Sequence, residues 1–320
     1  MKIPLLDDMI REAGTIAMAG HIRPDGDCVG SCLAVYNYIK ENYPEKECFA
    51  YLDHVPERFR FLPHADQIRH PGKKPKQVDL FLALDCADQA RLDSAEPIFL
   101  NAKKTICIDH HISNPGFADE NYVFPDASSA SEIVFETMKP DAISKNTAEC
   151  LYVGIVCDTG VFQYSCTSAH TMQIGGVLMD KGINYPRLVD HVFFQKNYTQ
   201  KKMLGRTLEK SSLYLNGKVI ASHITQEDMK EMGAIGADLD GIVSELRSTK
   251  GVEVAIFLHE EKNGDIKVSL RSAEYIDVAK IAGAYGGGGH ARAAGATVKM
   301  EPDVILSELC EAISQQMEQE

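Results

Sequence analysis

Four apolar stretches of this chain stop abruptly on acids. Val78 to Leu84 delivers Asp85, and Thr105 to Ile108 runs into Asp109-His110-His111. Asn146 to Cys157, apolar at helical spacing, halts at Asp158-Thr159-Gly160, while Thr15 to Gly20 opens into His21-Ile22-Arg23-Pro24-Asp25-Gly26-Asp27. Short β-rich runs bounded by turn-formers read as buried strands. Parallel sheets with helical crossovers carry ligands outside the carboxyl ends of their strands. A carboxylate beside two histidines is costly to desolvate unless a metal or a partner charge compensates it. Taken alone, Asp109-His110-His111 also reads as a polar turn, because buried polar groups are usually satisfied structurally. Repetition of the pattern at three other stretches favours a site.

The order of elements predicts an α/β chain. Strands at 15–20, 48–52, 78–84 and 105–108 alternate with helices at 5–14, from about 31 to Lys40, after Asp126, and at 146–157 and 168–180. A polar, Pro-rich connection occupies 53–77. Residues 1–185 form a first domain with a mainly parallel sheet flanked by helices, and 186–210, rich in Lys, Gln and Asn, form a linker. Residues 211–320 form a smaller α+β domain, with the active-site cleft expected between the two. Its signals are a hairpin around Asn216-Gly217 with a type I′ turn, a second hairpin around Asn263-Gly264, and helices at 226–232, 238–248, 277–283 and 303–317.

Within the first domain, Pro24 and Gly26 make a tight turn that can present His21, Asp25 and Asp27 together. Mixed imidazole and carboxylate donors suit ions such as Mn²⁺, and the alternative is that Asp27 caps the following helix. Gly30-Ser31 at the expected helix start could offer backbone N–H groups to phosphate. Ser128, Ser129 and Ser131 read as a helix N-cap. In the second domain Gly286-Gly287-Gly288-Gly289-His290-Ala291-Arg292 lies between an apolar helix and an apolar strand. Such a run is either a flexible linker or a backbone cradle for phosphate, with His290 and Arg292 adding charge-assisted bonds. Arg271, ending the second hairpin, is a plausible companion.

The formal charge of −13 argues against coating long duplex nucleic acid, which needs a broad basic face. It leaves room for a small phosphorylated substrate, because divalent ions invert the local sign. No run reaches the roughly 20 apolar residues of a membrane span, and Asp7, Asp8, Arg11 and Glu12 interrupt any signal-peptide core. Nine cysteines without a CxxC pair indicate neither a disulfide framework nor a zinc knuckle, so a reducing cytoplasm is expected. Cys28, Cys86, Cys107 and Cys157 lie near the motifs and are read as packing residues, with redox control as the rival role.

His21-x-x-x-Asp25-Gly26-Asp27, Asp85, Asp109-His110-His111, Asp158 and Gly286 to His290, in that order, resemble the DHH phosphoesterases with their DHH-associated C-terminal domain. Length and layout are most similar to the nanoRNase/pAp-phosphatase branch. The resemblance implies a metal-dependent phosphodiesterase/phosphatase that cuts short oligoribonucleotides to mononucleotides, and pAp to AMP. It also implies two metal ions, usually Mn²⁺, with Mg²⁺ or Co²⁺ as substitutes. His21 and Asp25 would hold one ion, Asp27, His110 and Asp158 the other, and Asp85 would bridge them. His111 would face substrate, Asp109 would orient a ligand histidine, and Arg271, Gly287, Gly288, Gly289, His290 and Arg292 would hold the substrate. Expected partners are di- to pentanucleotides, pAp or pApA, with no long duplex and no membrane; a homodimer is expected by analogy. A cyclic di-AMP/pApA phosphodiesterase is the alternative within the same chemistry, and a non-catalytic nucleotide-binding protein is the alternative outside it.

Overall fold

A computed structural model of the chain describes residues 2–72 and 77–318. Part of the connection expected at 53–77, residues 73–76, lies outside the described residues. The chain divides into two compact units, one ending at Gln195 and the other beginning at Lys196.

The N-terminal unit is built on five strands: β1 (Thr15–Ala19), β2 (Glu47–Tyr51), β3 (Leu80–Leu84), β4 (Lys104–Asp109) and β5 (Glu120–Val123). They pair in parallel in the order β2-β1-β3-β4-β5. The helices are α1 (Leu6–Met9), α2 (Gly26–Asn42), α3 (Glu96–Leu100), α4 (Ala130–Glu136), α5 (Lys145–Asp158), α6 (Ala169–Asp180) and α7 (Tyr185–Val189). Alternation along the strands explains why their sequences are apolar throughout. Ile16, Met18, Leu80, Leu82, Leu84, Ile106 and Ile108 enter the core shared with α2, α4 and α5. Ala17, Ala19, Phe81, Ala83 and Cys107 enter the opposite core, with Leu92 and Phe99. A sheet covered on both faces needs apolar residues at both parities, and each large side chain so buried contributes about 1.5–3 kcal/mol.

The strand order reverses direction between β1 and β3, the place where open α/β sheets leave a crevice at their carboxyl ends. His21 follows β1 and Asp85 follows β3, so both stand at that crevice.

Two expectations need correction here. The helix expected over 5–14 is a single turn, α1, with no side-chain cap at its start. The segment expected as a linker, 186–210, is largely helical: α7 runs into a wider turn at Asp190–Phe194, and α8 (Tyr198–Glu209) follows. Asn197 caps α8 reciprocally with Gln200, which is why a Lys- and Gln-rich segment still makes a helix. Gly30 and Ser31 lie inside α2, not at its start. The Ser31 hydroxyl donates to the Asp27 carbonyl, and a Cβ on Gly30 would lie 2.6 Å from the Cys150 carbonyl of α5, so this pair serves helix packing.

The C-terminal unit carries six strands, β6 (Ser212–Tyr214), β7 (Val219–Ile224), β8 (Val254–Glu260), β9 (Ile266–Ser272), β10 (Gly288–His290) and β11 (Ala293–Val298), in the order β10-β11-β9-β8-β7-β6. Only β7 and β8 pair in parallel. Helices α9 (Gln226–Met232) and α10 (Ile242–Arg247) share one core with α8, Ile220, Ile224 and Phe257. Helices α11 (Val278–Gly283) and α12 (Pro302–Met317) share the other with Val219, Ile256 and Leu270. The first hairpin is not closed by a two-residue turn: Leu215, Asn216 and Gly217 all take left-handed conformations, with φ of 47°, 54° and 83°. The second hairpin, β8–β9, forms as expected.

Candidate metal centre

Four segments of the N-terminal unit converge on one rim. Asp25 is extended and caps α2, its Oδ1 accepting from the N–H groups of Asp27 and Cys28 at 3.0 and 3.1 Å. Its Oδ2 is left facing His21, 3.7 Å from Nε2. The His21 Nδ1–H donates to the Ile22 carbonyl at 2.8 Å, which leaves Nε2 for the site. Asp85 adopts φ 51°, an unusual backbone for a non-glycine residue, and sits at the centre. Its Oδ2 is 3.5 Å from His21 Nε2, and its Oδ1 is 3.6 Å from His110 Nε2. On its far side His110 Nε2 lies 3.2 Å from Asp158 Oδ2 and 4.0 Å from Asp27 Oδ2. All six residues expected as metal ligands therefore lie together.

Burial makes this arrangement demand positive charge. Asp27 is wholly buried, Asp85 is 2 % and His21 6 % exposed, and Asp85 Oδ1 has no hydrogen-bond partner. An orphaned carboxylate oxygen is costly away from water. Burial, with Asp85 and Asp158 nearby, pushes Asp27 well above the ordinary carboxylate range, and burial with Asp85 and Asp25 lifts Asp158 to about 6. Burial opposes charge on the imidazoles too, yet Asp25 and Asp85 raise His21 to about 11, and Asp158, Asp85 and Asp27 raise His110 to about 12. Cation binding to such imidazole and carboxylate donors would displace protons. Imidazole and carboxylate donors around a shared carboxylate fit first-row divalent ions. Among the described residues, three overlapping groups have ligand atoms close enough together to hold an ion: His21, Cys28 and Asp85; Asp85, His110 and His111; Asp27, His110 and Asp158.

Cys28 is the unexpected member. Its buried sulfur points at the His21 carbonyl, and burial beside Cys32, Asp85 and Asp25 pushes the thiol up.

Asp109 is fully buried and both of its oxygens are engaged. Oδ1 accepts from His111 Nδ1 at 2.8 Å and Oδ2 from Asn114 Nδ2 at 2.7 Å. The histidine that Asp109 orients is His111, not the ligand candidate His110. Asn114, which no sequence motif singles out, completes that bracket; its one sequence signal is a side-chain amide five residues after the acid.

In the C-terminal unit, Arg271 and His290 flank Ala293 across the β9-β11-β10 register and so share one face of the sheet. His290 and Arg292 are exposed, and Arg292 Nη1 donates to the Ile276 carbonyl at 2.8 Å. The glycines divide by role. A Cβ on Gly287 would lie 2.2 Å from the Gly295 carbonyl and one on Gly289 2.3 Å from the Ala293 carbonyl, so both are required by the β10–β11 pairing. Gly286 and Gly288 face open space.

The DHH family, N-terminal domain, matches residues 15–155, and the DHHA1 domain matches residues 216–319. The bifunctional oligoribonuclease and PAP phosphatase NrnA of Thermus thermophilus is 28% identical over 99% of this chain and 94% of its own length. The protein of the same name from Bacillus subtilis is 31% identical over 92% of this chain and 93% of its own. Among solved structures, an exopolyphosphatase-related protein from Bacteroides fragilis superposes with a TM-score of 0.87 at 25% identity, covering 95% of this chain and 94% of the other. No described helix is long and apolar enough to cross a membrane.

Proposed function

The chain belongs to the DHH family of phosphoesterases, and we propose that it hydrolyses short oligoribonucleotides to mononucleotides and pAp to AMP in a metal-dependent reaction. One observation carries the reading: buried Asp85 has one oxygen toward His21 and the other toward His110. The ions are taken to be two Mn²⁺, one held by His21 and Asp25 and the other by Asp27, His110 and Asp158, with Asp85 shared. Bound in this way, such ions supply Lewis-acid charge to a phosphoryl oxygen and lower the pKa of water.

The chain's own residues do the rest. Asp109 fixes the ring of His111 through Nδ1, so that Nε2 meets the substrate and can donate to an equatorial or leaving oxygen. In the second domain Arg271, His290 and Arg292 offer charge-assisted bonds to a terminal phosphate, and Gly287, Gly288 and Gly289 bring backbone close to it. A short substrate suits a chain of net charge −13, because attraction is confined to the site. The names of the relatives support the same substrate class.

The test is product analysis with pApA, longer oligoribonucleotides, pAp, cyclic di-AMP and pyrophosphate, in Mn²⁺ and in chelator. Mononucleotides from the short oligonucleotides in Mn²⁺ alone are expected. Faster turnover of cyclic di-AMP than of pApA and pAp would replace this reading with the cyclic-dinucleotide one. Silence on every nucleotide by the Mn²⁺-loaded chain would mark a binding protein.

A further inference from the structure

The carboxylate of Asp27 is held from outside its own loop. Ser129, extended at φ −166° and ψ 160°, caps α4 by accepting the Glu132 N–H. The next two N–H groups have no partner within the helix. They turn to Asp27 instead: Ala130 N–H donates to Oδ2 at 2.5 Å and Ser131 N–H to Oδ1 at 2.9 Å. Consecutive backbone donors on the two oxygens fix the carboxylate plane. Gly154 of α5 forms the wall behind it, since a Cβ there would lie 2.8 Å from Asp27 Oδ1 and closer still to the Ser131 hydroxyl. That hydroxyl is buried and has no hydrogen-bond partner. The oxygen held by Ala130, Oδ2, is also the one nearest His110.

Resting on the assignment of Asp27 as a ligand, we propose that Ala130, Ser131 and Gly154 form a carboxylate clamp that makes Asp27 a one-oxygen ligand and sets the metal preference of the site. The two donors fix the carboxylate plane and hold Oδ1 toward Ser131 and the Gly154 wall, which leaves Oδ2, on the His110 side, as the single ligating oxygen. Large ions such as Ca²⁺ gather six to eight oxygens and use two-oxygen carboxylates readily, whereas smaller ions accept single-oxygen ligands in octahedral geometry. The clamp therefore favours Mn²⁺ over Ca²⁺. Ala130, Ser131 and Gly154 are positioning residues that act through Asp27.

The decisive variant is Ala130→Pro. Proline is well tolerated at the first helical position, and the extended Ser129 is the backbone that a following proline prefers. The change deletes one clamp donor while keeping the helix start. Calorimetric titration of the full chain with Mn²⁺, and with Ca²⁺ in competition, is the readout, alongside thermal unfolding without metal. Mn²⁺ affinity at one site is expected to fall about 10–100-fold, and the Mn²⁺-to-Ca²⁺ preference is expected to shrink, with cooperative unfolding retained. A merely structural bond would not shift that preference.

Should Ala130→Pro not fold, Gly154→Ala gives the same test. Alanine favours a helix over glycine by about 1 kcal/mol, so lost affinity would come from the new Cβ, and adding Ser131→Gly should restore part of it. Unchanged affinity and preference in a folded variant, beside a wild type that binds Mn²⁺, would overturn the clamp alone. A wild type that binds no Mn²⁺ would overturn the ligand assignment and the clamp with it.

Discussion

The candidate site residues of the two units differ in solvent exposure: those of the N-terminal unit include a buried group, beside the exposed Asp25 and the half-buried His110, His111 and Asp158, whereas those of the C-terminal unit are exposed or half-buried. In the N-terminal unit Asp27 and Asp109 are wholly buried, and Asp85 and His21 nearly so. In the C-terminal unit Gly288, His290 and Arg292 are exposed. A buried carboxylate that loses its partner cannot turn to water, so its neighbours fail with it. An exposed arginine or histidine that is removed is replaced by solvent. Substitutions in the first set should therefore act on metal binding and turnover in an all-or-none way, and those in the second should act on substrate affinity by degrees.

The largest effect expected is that of Asp85→Ala. It removes the carboxylate facing both histidine groups, and activity should drop by about a thousandfold or more, with metal stoichiometry lost. Retained stoichiometric Mn²⁺ in a titration would remove Asp85 from the shared position. Next comes His111→Gln, which should lower kcat by about 10²–10⁴ while both ions still bind; an unchanged kcat would take His111 out of the chemistry. Arg292→Ala should raise KM by roughly tenfold or more at nearly constant kcat, as loss of a charged hydrogen bond implies. A kcat effect as large as that of His111→Gln would erase the contrast between the units.

The smallest effect concerns stability alone. Asp228 in α9 accepts from Arg206, Lys210 and Thr225, and despite its burial these partners hold its carboxyl well below the ordinary range. Its folded pKa is depressed, so its contribution is complete above the unfolded value near 3.9 and is lost as pH falls toward the lower folded value. Asp228→Asn should cost about 1–3 kcal/mol at neutral pH, measured by denaturant unfolding, and should flatten the acid limb of stability. An acid limb identical to wild type would contradict this.

The convergence of the acids and histidines at one sheet rim was legible in the sequence, and the reason is local. Val78 to Leu84 had to be a strand buried on both faces, so the acid after it had to stand at a sheet rim. No comparable signal marks β5, whose Glu-Asn-Tyr-Val is held as an edge strand by pairing with β4. The helices across 186–210 rest on capping by Asn184 and Asn197, which a count of Lys, Gln and Asn conceals. The serines before α4 were visible as a cap, and Ser129 is one. The tie from the following N–H groups to Asp27 was not, because it joins backbone to a side chain from another segment. The left-handed backbone of Asp85 was equally hidden, since nothing in Leu84-Asp85-Cys86 calls for it.

Asp85 is thus the residue on which the reading turns. The measurement to make is anomalous diffraction at the manganese edge from crystals of the full chain grown with Mn²⁺. Two peaks are expected, one beside His21 and Asp25 and one among Asp27, His110 and Asp158, each within bonding distance of Asp85. One peak only, or two that share a different carboxylate, would contradict the assignment.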